Sequence, residues 1–297
     1  MKVSIAIPFY NNEEHLPDAI KSVFAQDFKD WELILIDDGS TDRSLEIAKS
    51  VIDSRVRVIS DGKNKKLAAR LNQVTLLAKY DYIARMDADD IMAPNRISNQ
   101  LEIFKQNPEI DIVSTSLISI SDNKKILGVR QTKSNEISLK DLISRKKQPV
   151  HATILATKKW YMRNKYDENL PISQDYELWL RAASKKDFNV IMTEDLAYFY
   201  REGLNIKYKK IRLSQKIERR IYKKYANNSY FSLYLKSILK TFLTNIIFLF
   251  GLSRILLARR NNILNINNNI EKNYKLNIKK IESTFVPGLS EYLNEKR

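Results

Sequence analysis

The chain has 297 residues, of which 43% are hydrophobic and 10% aromatic, a composition that excludes an intrinsically disordered protein. It contains no cysteine and only two histidines, which excludes disulfides, a thiol nucleophile, cysteine-ligated metal centres and a multi-histidine metal site. The net charge is +16, and nearly all of it lies in residues 201–297, which hold 21 basic and 6 acidic residues. This asymmetry predicts an anionic partner for the tail, a membrane surface or a nucleic acid, unless the basic residues only form a solvated helical face.

The first 90 residues alternate between short aliphatic runs and stretches with apolar residues at helical spacing. We predict strands at 3–8, 33–36, 56–59 and 82–86, and helices at 16–24, 45–51 and 67–78. Such runs are typical of strands that are buried on both faces of a parallel sheet. The segment is therefore predicted to form half of a doubly wound α/β domain, in which ligands lie at the carboxyl ends of the strands.

The pattern becomes more varied after residue 90. A helix is predicted from Pro94 to about Gln106, followed by strands of mixed direction and a further helix at 175–183. We expect these strands within 110–120, near Gly128, and at 152–156, 190–192 and 197–200. From about Ile206 the sequence is helical and basic, so we predict a domain of residues 1–205, in halves 1–90 and 91–205, and a helical region 206–297.

An acidic cluster, residues 37–42, follows the second predicted strand directly. Gly39 permits a tight turn, and Asp38 could accept hydrogen bonds from a nucleobase N–H or a ribose hydroxyl. The alternative is a plain turn in which Ser40, Thr41 or Asp42 caps the next helix. Both interpretations can hold together, because capping uses the later residues and leaves the two leading aspartates free.

A second cluster, Asp87, Asp89 and Asp90, follows the strand predicted at 82–86. Alternation along a strand places Asp87 and Asp89 on the same side, an arrangement that suits a divalent cation bridging the protein and a diphosphate. With no cysteine and few histidines, carboxylate ligands favour Mg²⁺ or Mn²⁺. The alternative is that Asp90 only caps the helix that Pro94 begins. Repulsion among three crowded acids favours the metal site.

Asp175 begins a helix whose Tyr176, Trp179 and Leu180 form one bulky face. A carboxylate there could be a general base that takes a proton from a hydroxyl group. Alternatively it is a first-turn acid that complements the helix dipole, with Ser173 as the cap, and this segment alone favours that interpretation. The two upstream clusters are what make the general base worth considering.

Four motifs together resemble the family 2 inverting glycosyltransferases of the GT-A fold. They are Val3–Asn12, Asp37–Asp42, Ala84–Asp90 and Gln174–Arg181. The resemblance covers about 180 residues in the right order, extends to Arg96, Gln100 and His151, and is closest to bacterial enzymes that build capsules and O-antigens. It implies an α/β fold with a mixed, mainly parallel central sheet, in which residues 1–90 bind the nucleotide and residues 91–205 face the acceptor.

The resemblance also implies roles for individual residues. The base pocket would be lined by Pro8, Tyr10 and Asp38. Asp87 would contact the ribose or sugar of the donor, Asp89 would ligate Mn²⁺ or Mg²⁺, and Asp175 would be the general base. The implied activity is transfer of a sugar from a nucleotide-diphosphate sugar, with UDP-sugar as the expected donor, to a hydroxyl of a glycan or lipid-linked glycan in surface polysaccharide biosynthesis.

Some positions depart from the family pattern. Lys66 stands where relatives usually have glycine, and Ala152 replaces a frequent proline. After Tyr200 and Arg201, where many relatives place a histidine near the diphosphate, this chain has Glu202-Gly203-Leu204. The third contact to the metal or diphosphate is therefore not identified by the motif.

Two other functions fit parts of the sequence. A sugar-nucleotide-forming nucleotidyltransferase also combines an α/β fold with a metal, but it usually has a Gly-rich basic loop where this chain has residues 9–14. A nucleic-acid-binding protein could use the tail, where tyrosines that could stack on bases lie between lysines. The stacking candidates are Tyr222, Tyr225, Tyr230 and Tyr234. Acidic clusters at one sheet edge would repel phosphates, so no nucleic acid is expected.

The tail segment 229–260 combines apolar residues at helical spacing with basic residues at its edges and end. The basic residues are Lys236, Lys240, Arg254, Arg259 and Arg260. This pattern predicts a helix lying in a membrane interface, with packing on the domain or on a second subunit as the alternative. Its longest uncharged stretch, 241–253, is shorter than the roughly 20 residues that span a bilayer. Without a signal-peptide pattern, we expect a cytoplasmic protein, peripheral on the inner face of the membrane.

Overall fold

The structure is a computed structural model that describes residues 1–202, 208–226, 229–252 and 266–295. Its strands are β1 (Val3–Phe9), β2 (Trp31–Asp37), β3 (Val56–Ile59), β4 (Tyr82–Arg85), β5 (Ile91–Met92), β6 (Ile112–Ser114), β7 (Leu117–Ile120), β8 (Ile126–Arg130), β9 (Leu155–Thr157), β10 (Val190–Met192) and β11 (Tyr198–Arg201). Its helices are α1 (Leu16–Phe24), α2 (Ser44–Lys49), α3 (Lys66–Leu77), α4 (Arg96–Gln106), α5 (Leu139–Ile143), α6 (Lys158–Arg163), α7 (Gln174–Ser184), α8 (Tyr208–Tyr225), α9 (Tyr230–Leu249), α10 (Asn268–Glu282) and α11 (Leu289–Glu295).

The central sheet has seven strands in the order β10-β6-β9-β4-β1-β2-β3. Within it only β9 runs antiparallel to its neighbours, so the predicted mixed, mainly parallel α/β sheet is confirmed. β1 and β2 are buried along their whole length, as two-sided burial between layers of helices requires. A smaller sheet, β5-β11-β7-β8, lies beside it.

The described part of the tail packs on the rest of the chain in two ways. α10 and α11 return to the first half of the molecule, where Ile281, Val286 and Leu289 are buried. The backbone at Gly288 lies so close to the end of α2 that a Cβ atom at this position would be 1.9 Å from the carbonyl oxygen of Ser50. α8 packs on α7, while α9 lies against α8. Residues beyond 205 therefore contribute to the same hydrophobic clusters as the residues before them.

Most predicted elements occur at their predicted positions, with informative exceptions. The strand expected at 152–156 begins later, because His151–Thr153 forms a 3₁₀ turn before β9. β5, α5 and α6 were not predicted; each has six residues or fewer, too short for a periodic signal. The basic end of the predicted membrane helix, with Arg254, Arg259 and Arg260, lies outside the described residues.

Candidate active site

Three strand ends meet at one edge of the central sheet. β4, β1 and β2 are parallel neighbours, so their carboxyl ends lie side by side. The loops that follow them contain residues 10–15 and the two acidic clusters at 37–42 and 87–90. The sheet topology therefore brings the first two predicted clusters to the same edge, where ligands of such sheets lie.

The loop after β1 is joined to the loop after β2. The amide of Asn12 donates to Ser44 Oγ at 2.7 Å, and the amide of Glu13 donates to Asp42 Oδ2 at 3.1 Å. The other oxygen of Asp42 accepts from the amide of Ser44, the first residue of α2, at 2.9 Å. The residue that precedes α2 is Arg43, and no side chain among the described residues caps the helix, so the interpretation of Ser40, Thr41 or Asp42 as its cap is wrong; Asp42 instead forms a local turn. These bonds hold the two loops in one arrangement.

The two leading aspartates of this cluster are not free, contrary to the expectation from sequence. Asp37 accepts hydrogen bonds from the Ser40 amide at 2.9 Å and from Ser60 Oγ at 2.8 Å. It is 1% exposed, so its role is to hold the turn. The sequence pattern does not reveal Ser60 as a partner of Asp37, because Ser60 directly follows β3, a different strand.

Asp38 lies against the start of α3. Its carboxylate accepts from the amides of Lys65 at 2.7 Å and Lys66 at 3.1 Å, and from Arg70 Nε at 2.9 Å. These donors use three of the roughly four acceptor positions of a carboxylate. The partners fix the orientation of Asp38 and leave about one position for a ligand donor. Arg70 itself is 0% exposed and also binds Asp61 at 2.7 Å.

Pro8 and Tyr10, the other predicted base-pocket residues, lie at the end of β1. Pairing of β1 with β4 stops at Ala6 and Arg85, so the missing N–H of Pro8 breaks no bond on that side. Pro8 is buried and faces Ile36 of β2 in register. Tyr10 follows with half of its surface exposed, which leaves its ring accessible to a planar ligand.

Asp87, Asp89 and Asp90 form a carboxylate cluster whose ligand oxygens all lie within 4.8 Å of one another. Asp87 forms an ion pair with the buried Arg85. Asp90 accepts a hydrogen bond from the backbone amide of Arg201 at 2.7 Å through Oδ1. Its other oxygen is buried with no hydrogen-bond donor among the described residues. Asp90 therefore does not cap α4, so that alternative interpretation is wrong.

The electrostatics of this cluster suit a cation. Partial loss of hydration and then the charge of Asp87 raise the pKa of Asp89 to about 6. Burial, followed by the charges of Asp89 and Asp87, raises the pKa of Asp90 well above its ordinary value. Without a cation these acids resist ionisation, and a divalent ion among their oxygens would relieve the repulsion. The residues present fit Mg²⁺ or Mn²⁺, which oxygen ligands hold.

Asp175 stands in the first turn of α7, partly exposed. Its side chain makes no hydrogen bond or ion pair with any residue in the described ranges. Ser173 precedes the helix in a left-handed conformation with φ of 60°, and its hydroxyl makes no capping bond. The interpretation of Ser173 as a side-chain cap is therefore wrong. A strained residue next to an unpaired carboxylate is the kind of feature found at functional sites.

A buried layer of aromatic residues lies against α7, the helix whose first turn contains Asp175. His151 Nε2 and the Tyr166 hydroxyl are 2.7 Å apart, and His151 also contacts the ring of Trp179 in α7. Burial, and then Arg85, lowers the pKa of His151 far below its ordinary value, so it is neutral. Burial is the main cause of the raised pKa of Tyr166, and the charge of Asp175 adds to it. His151 is thus a core residue behind the site.

A comparison with known protein families identifies the family of this chain. Glycosyl transferase family 2 matches residues 4–170, more than half of the chain. The chain belongs to glycosyl transferase family 2. The predicted family and enzyme class are therefore confirmed, and the matched residues contain the loops after β1, β2 and β4.

Individual relatives are also named glycosyltransferases. Over 186 residues the chain is 33% identical to the glycosyltransferase EpsE of Bacillus subtilis, covering 61% of this chain and 66% of EpsE. Over 206 residues it is 30% identical to the uncharacterized glycosyltransferase MJ1057 of Methanocaldococcus jannaschii, covering 67% of this chain and 70% of that protein. The chain thus aligns with about two thirds of the length of these relatives.

Solved structures support the fold. TarS of S. aureus, residues 1–349 in complex with UDP, matches with a TM-score of 0.58 and 18% identity, covering 77% of this chain and 72% of that chain. The mannosyltransferase PcManGT from Pyrobaculum calidifontis matches with a TM-score of 0.57 and 13% identity, covering 100% of this chain and 88% of that chain. The predicted GT-A fold is confirmed by these likenesses.

Two further residues of the family resemblance, Arg96 and Gln100, brace the site from behind. Arg96 is fully buried in α4 and donates through Nη2 to the carbonyls of Arg85 at 3.0 Å and Ile154 at 3.2 Å. Gln100 accepts from Arg96 and donates to the carbonyl of Val113 at 3.0 Å. Together they fix the end of β4, which the carboxylate cluster follows in this family 2 glycosyltransferase.

The departures from the family pattern have structural correlates. Lys66 adopts a left-handed backbone with φ of 71°, which accounts for the glycine usual at this position, since glycine adopts that conformation without strain. Glu202 is buried beside Arg130. Gly203 and Leu204 lie outside the described residues. Arg70 was not predicted as a site residue from the sequence. The available signal was the position of this arginine on the apolar side of α3.

Proposed function

We propose that this chain moves a sugar from a nucleotide-diphosphate sugar to a hydroxyl of a glycan or lipid-linked glycan, with inversion at the anomeric carbon. The observation that carries the proposal is a carboxylate cluster, Asp87, Asp89 and Asp90, at the same sheet edge as the predicted base pocket, in which only Asp87 forms an ion pair among the described residues. A UDP-sugar is the expected donor. TarS binds UDP and UDP-GlcNAc, and PcManGT binds GDP-Man and Mn²⁺, so nucleotide-sugar binding occurs in proteins of this fold.

In this proposal the donor lies along the joined loops. Pro8, Tyr10 and Asp38 line the base pocket, Asp87 contacts the ribose or sugar, and Asp89 holds Mn²⁺ or Mg²⁺. When bound, the cation supplies neutralisation of the negative charge on the departing diphosphate. The raised pKa of Asp89 supports this assignment, because a group that resists ionisation alone gains most from a cation.

Asp175 is the proposed general base. Its carboxylate has no partner among the described residues, so it is available to accept the proton of the acceptor hydroxyl. The deprotonated oxygen attacks the anomeric carbon from the face opposite the diphosphate, which leaves with its bonding electrons. One displacement inverts the configuration, and the leaving group requires no acid.

The test is Asp175→Asn, with Asp30→Asn as the matched control. Asp30 immediately precedes β2, at the opposite edge of the sheet, and is exposed. We expect kcat to fall about 100-fold or more in the first variant, because general-base catalysis is lost, and UDP affinity to stay within about twofold. The control should match the unmodified protein in both measurements. Unchanged turnover in Asp175→Asn would remove Asp175 from this role.

The other two functions have less support. A nucleotidyltransferase would need a Gly-rich phosphate-binding loop after β1, whereas this loop contains no glycine and is held by side chains of the next loop. With UDP-sugar and Mn²⁺ we therefore expect release of free UDP rather than pyrophosphate exchange. For nucleic-acid binding, Tyr222 and Tyr225 would have to be accessible. Both are less than 9% exposed, and Tyr230 and Tyr234 contact each other with ring centroids 5.7 Å apart.

We also propose that α9 binds an anionic membrane surface. Two threonines of α9 face α8: Thr244 Oγ1 accepts from Gln215 Nε2 at 2.9 Å, and Thr241 Oγ1 accepts from Arg219 Nη1 at 3.0 Å. Most of its large apolar side chains are exposed, with Phe242 at 59%, although Leu233 and Phe248 contact the rest of the protein. This is the reverse of a helix packed in water, where the apolar side faces the protein.

The length and mean hydropathy of α9 also make it the one candidate membrane span among the described residues. Lys236 and Lys240, both exposed, lie within the helix, and basic residues beside an apolar face favour an interfacial position on anionic lipid. A surface position would bring the strand-end edge to a lipid-linked acceptor. On this proposal the protein is cytoplasmic and peripheral on the inner face of the membrane.

Point substitutions test this better than truncation near Tyr208, because truncation would also delete α10 and α11, which pack on the core. We expect the full chain to sediment with phosphatidylglycerol vesicles at low salt and Leu239→Glu to stay largely in the supernatant. Leu76→Glu is the matched control, since Leu76 is similarly exposed but lies on α3. Equal sedimentation of the two variants would leave α9 as a packing or subunit surface.

A further inference from the structure

Arg201 holds the carbonyl of the proposed cation ligand Asp89 and the side chain of the next residue, Asp90. It ends β11 and is 5% exposed. Its Nε donates to the carbonyl oxygen of Asp89 at 2.8 Å, and its own amide donates to Asp90 Oδ1 at 2.7 Å. These contacts fix the carbonyl of Asp89 and the carboxylate of Asp90, and so restrict the direction of the Asp89 side chain between them.

The rest of the guanidinium is directed at protein acceptors. Nη1 donates to the carbonyls of Ser121 at 3.3 Å and Asp122 at 2.5 Å, and Nη2 donates to Asp18 at 3.3 Å. Four of its five N–H groups are thus used within the fold. A guanidinium engaged in this way does not act as a diphosphate ligand; its geometry is that of a support.

A chain of alternating charges continues from Arg201 to the C-terminal helix α10. Asp18 accepts from Lys124 Nζ at 3.0 Å, and the same ammonium group binds Glu282 of α10 at 2.8 Å. The Tyr274 hydroxyl, also from α10, donates to the carbonyl of Lys124 at 2.7 Å. Lys124 has a left-handed backbone, with φ of 57°, in the turn between β7 and β8, and these contacts hold it there.

We propose that Arg201 is a positioning residue of the cation site and that α10, through Glu282 and Lys124, is part of the same support. The inference rests on the proposed cation site at Asp87 and Asp89. Partners behind metal ligands orient them, and their loss typically weakens metal binding about 10- to 100-fold. The C-terminal helix thus contributes to the active site without contacting substrate.

The first test is Arg201→Lys, which keeps the charge but loses the planar fork that reaches several acceptors together. Binding of Mn²⁺ is measured by electron paramagnetic resonance of the free ion, with UDP present and no sugar, so turnover does not enter. We expect the dissociation constant for Mn²⁺ to rise about tenfold. At saturating Mn²⁺ most of kcat should return, because the ligands themselves are unchanged.

The second test compares Glu282→Gln with Glu271→Gln on the same helix. Within the described part of the chain, Glu271 pairs locally with Lys275 and forms no ion pair with Lys124, so it is the matched control. We expect a roughly two- to fourfold weaker affinity for Mn²⁺ in Glu282→Gln and no change in the control. This pair decides the question even if Arg201→Lys fails to fold, as judged by circular dichroism.

The outcomes separate this inference from the proposed function. If the unmodified protein binds no Mn²⁺ while Asp89→Asn behaves identically, the cation site itself is refuted. If the unmodified protein binds Mn²⁺ and folded Arg201→Lys binds it equally well, Arg201 is a structural residue only and the inference is overturned. An equal effect of Glu282→Gln and Glu271→Gln would likewise remove α10 from the support.

Discussion

Replacement of Arg70 by methionine should be among the most destabilising single changes near the candidate site. The Arg70 side chain has no exposed surface, and Asp38 is 7% exposed, so their 2.9 Å ion pair is largely shielded from water. Methionine fills much of the same volume but leaves Asp38 buried with a charge whose side-chain partner is gone. Breaking a buried pair in this way costs about 3–5 kcal/mol.

Urea unfolding at 25 °C measures this cost. The double variant Arg70→Met with Asp38→Asn should recover at least about 1 kcal/mol relative to Arg70→Met alone, because the unpaired charge is removed. Asp61→Asn weakens the more exposed ion pairs of Asp61 with Arg70 and Lys65, leaves the Arg70–Asp38 pair intact, and should cost clearly less. A loss below about 1 kcal/mol for Arg70→Met would show that solvent screens the pair, and the argument for a fixed Asp38 would fail.

Two further predictions concern pH and backbone strain. Because the pKa of Asp89 is raised from 3.8 to about 6 without metal, this group's contribution to stability is full below pH 3.8 and is lost as the pH rises through 6. Mn²⁺ competes with that proton, so the affinity for Mn²⁺ should fall about tenfold per pH unit below pH 6 and level off above it. An affinity measured by calorimetry that does not change with pH would contradict this. Lys66→Gly should raise the free energy of unfolding by about 0.5–1 kcal/mol by relieving a left-handed residue, whereas Lys66→Ala, which retains Cβ, should not. Equal urea midpoints for these two variants would show that Lys66 is unstrained.

The parts of the fold that could be predicted from sequence are those whose signal is local. The strands at Val56–Ile59 and Val190–Met192 occur at their predicted bounds, because aliphatic runs between turn residues have few alternatives. The acidic residues at strand ends were located for the same reason. Once β4, β1 and β2 are recognised as neighbours, the two clusters must share an edge.

Partners that come from distant segments could not be predicted. Asp38 appeared free from its own motif, yet Lys65, Lys66 and Arg70 bind it from α3. The basic excess of the tail predicted an anionic partner, a membrane surface or a nucleic acid, or a solvated helical face, but Glu282 reaches Lys124 across more than 150 residues of sequence. An ion pair of this kind depends on the packing of complete elements, which no local pattern encodes.

The number of acidic residues at a strand end does not by itself distinguish a proposed nucleoside pocket from a proposed cation site. The residues that pair with those acids provide the distinction. At the β2 end, Asp38 is neutralised by Arg70, and its remaining acceptor capacity suits an N–H or hydroxyl donor. At the β4 end, Arg85 neutralises Asp87, whereas Asp89 and Asp90 retain raised pKa values. The local deficit of positive charge there is what a divalent cation would supply. Two similar sequence clusters therefore acquire different chemistry from the arginines that the fold places beside them.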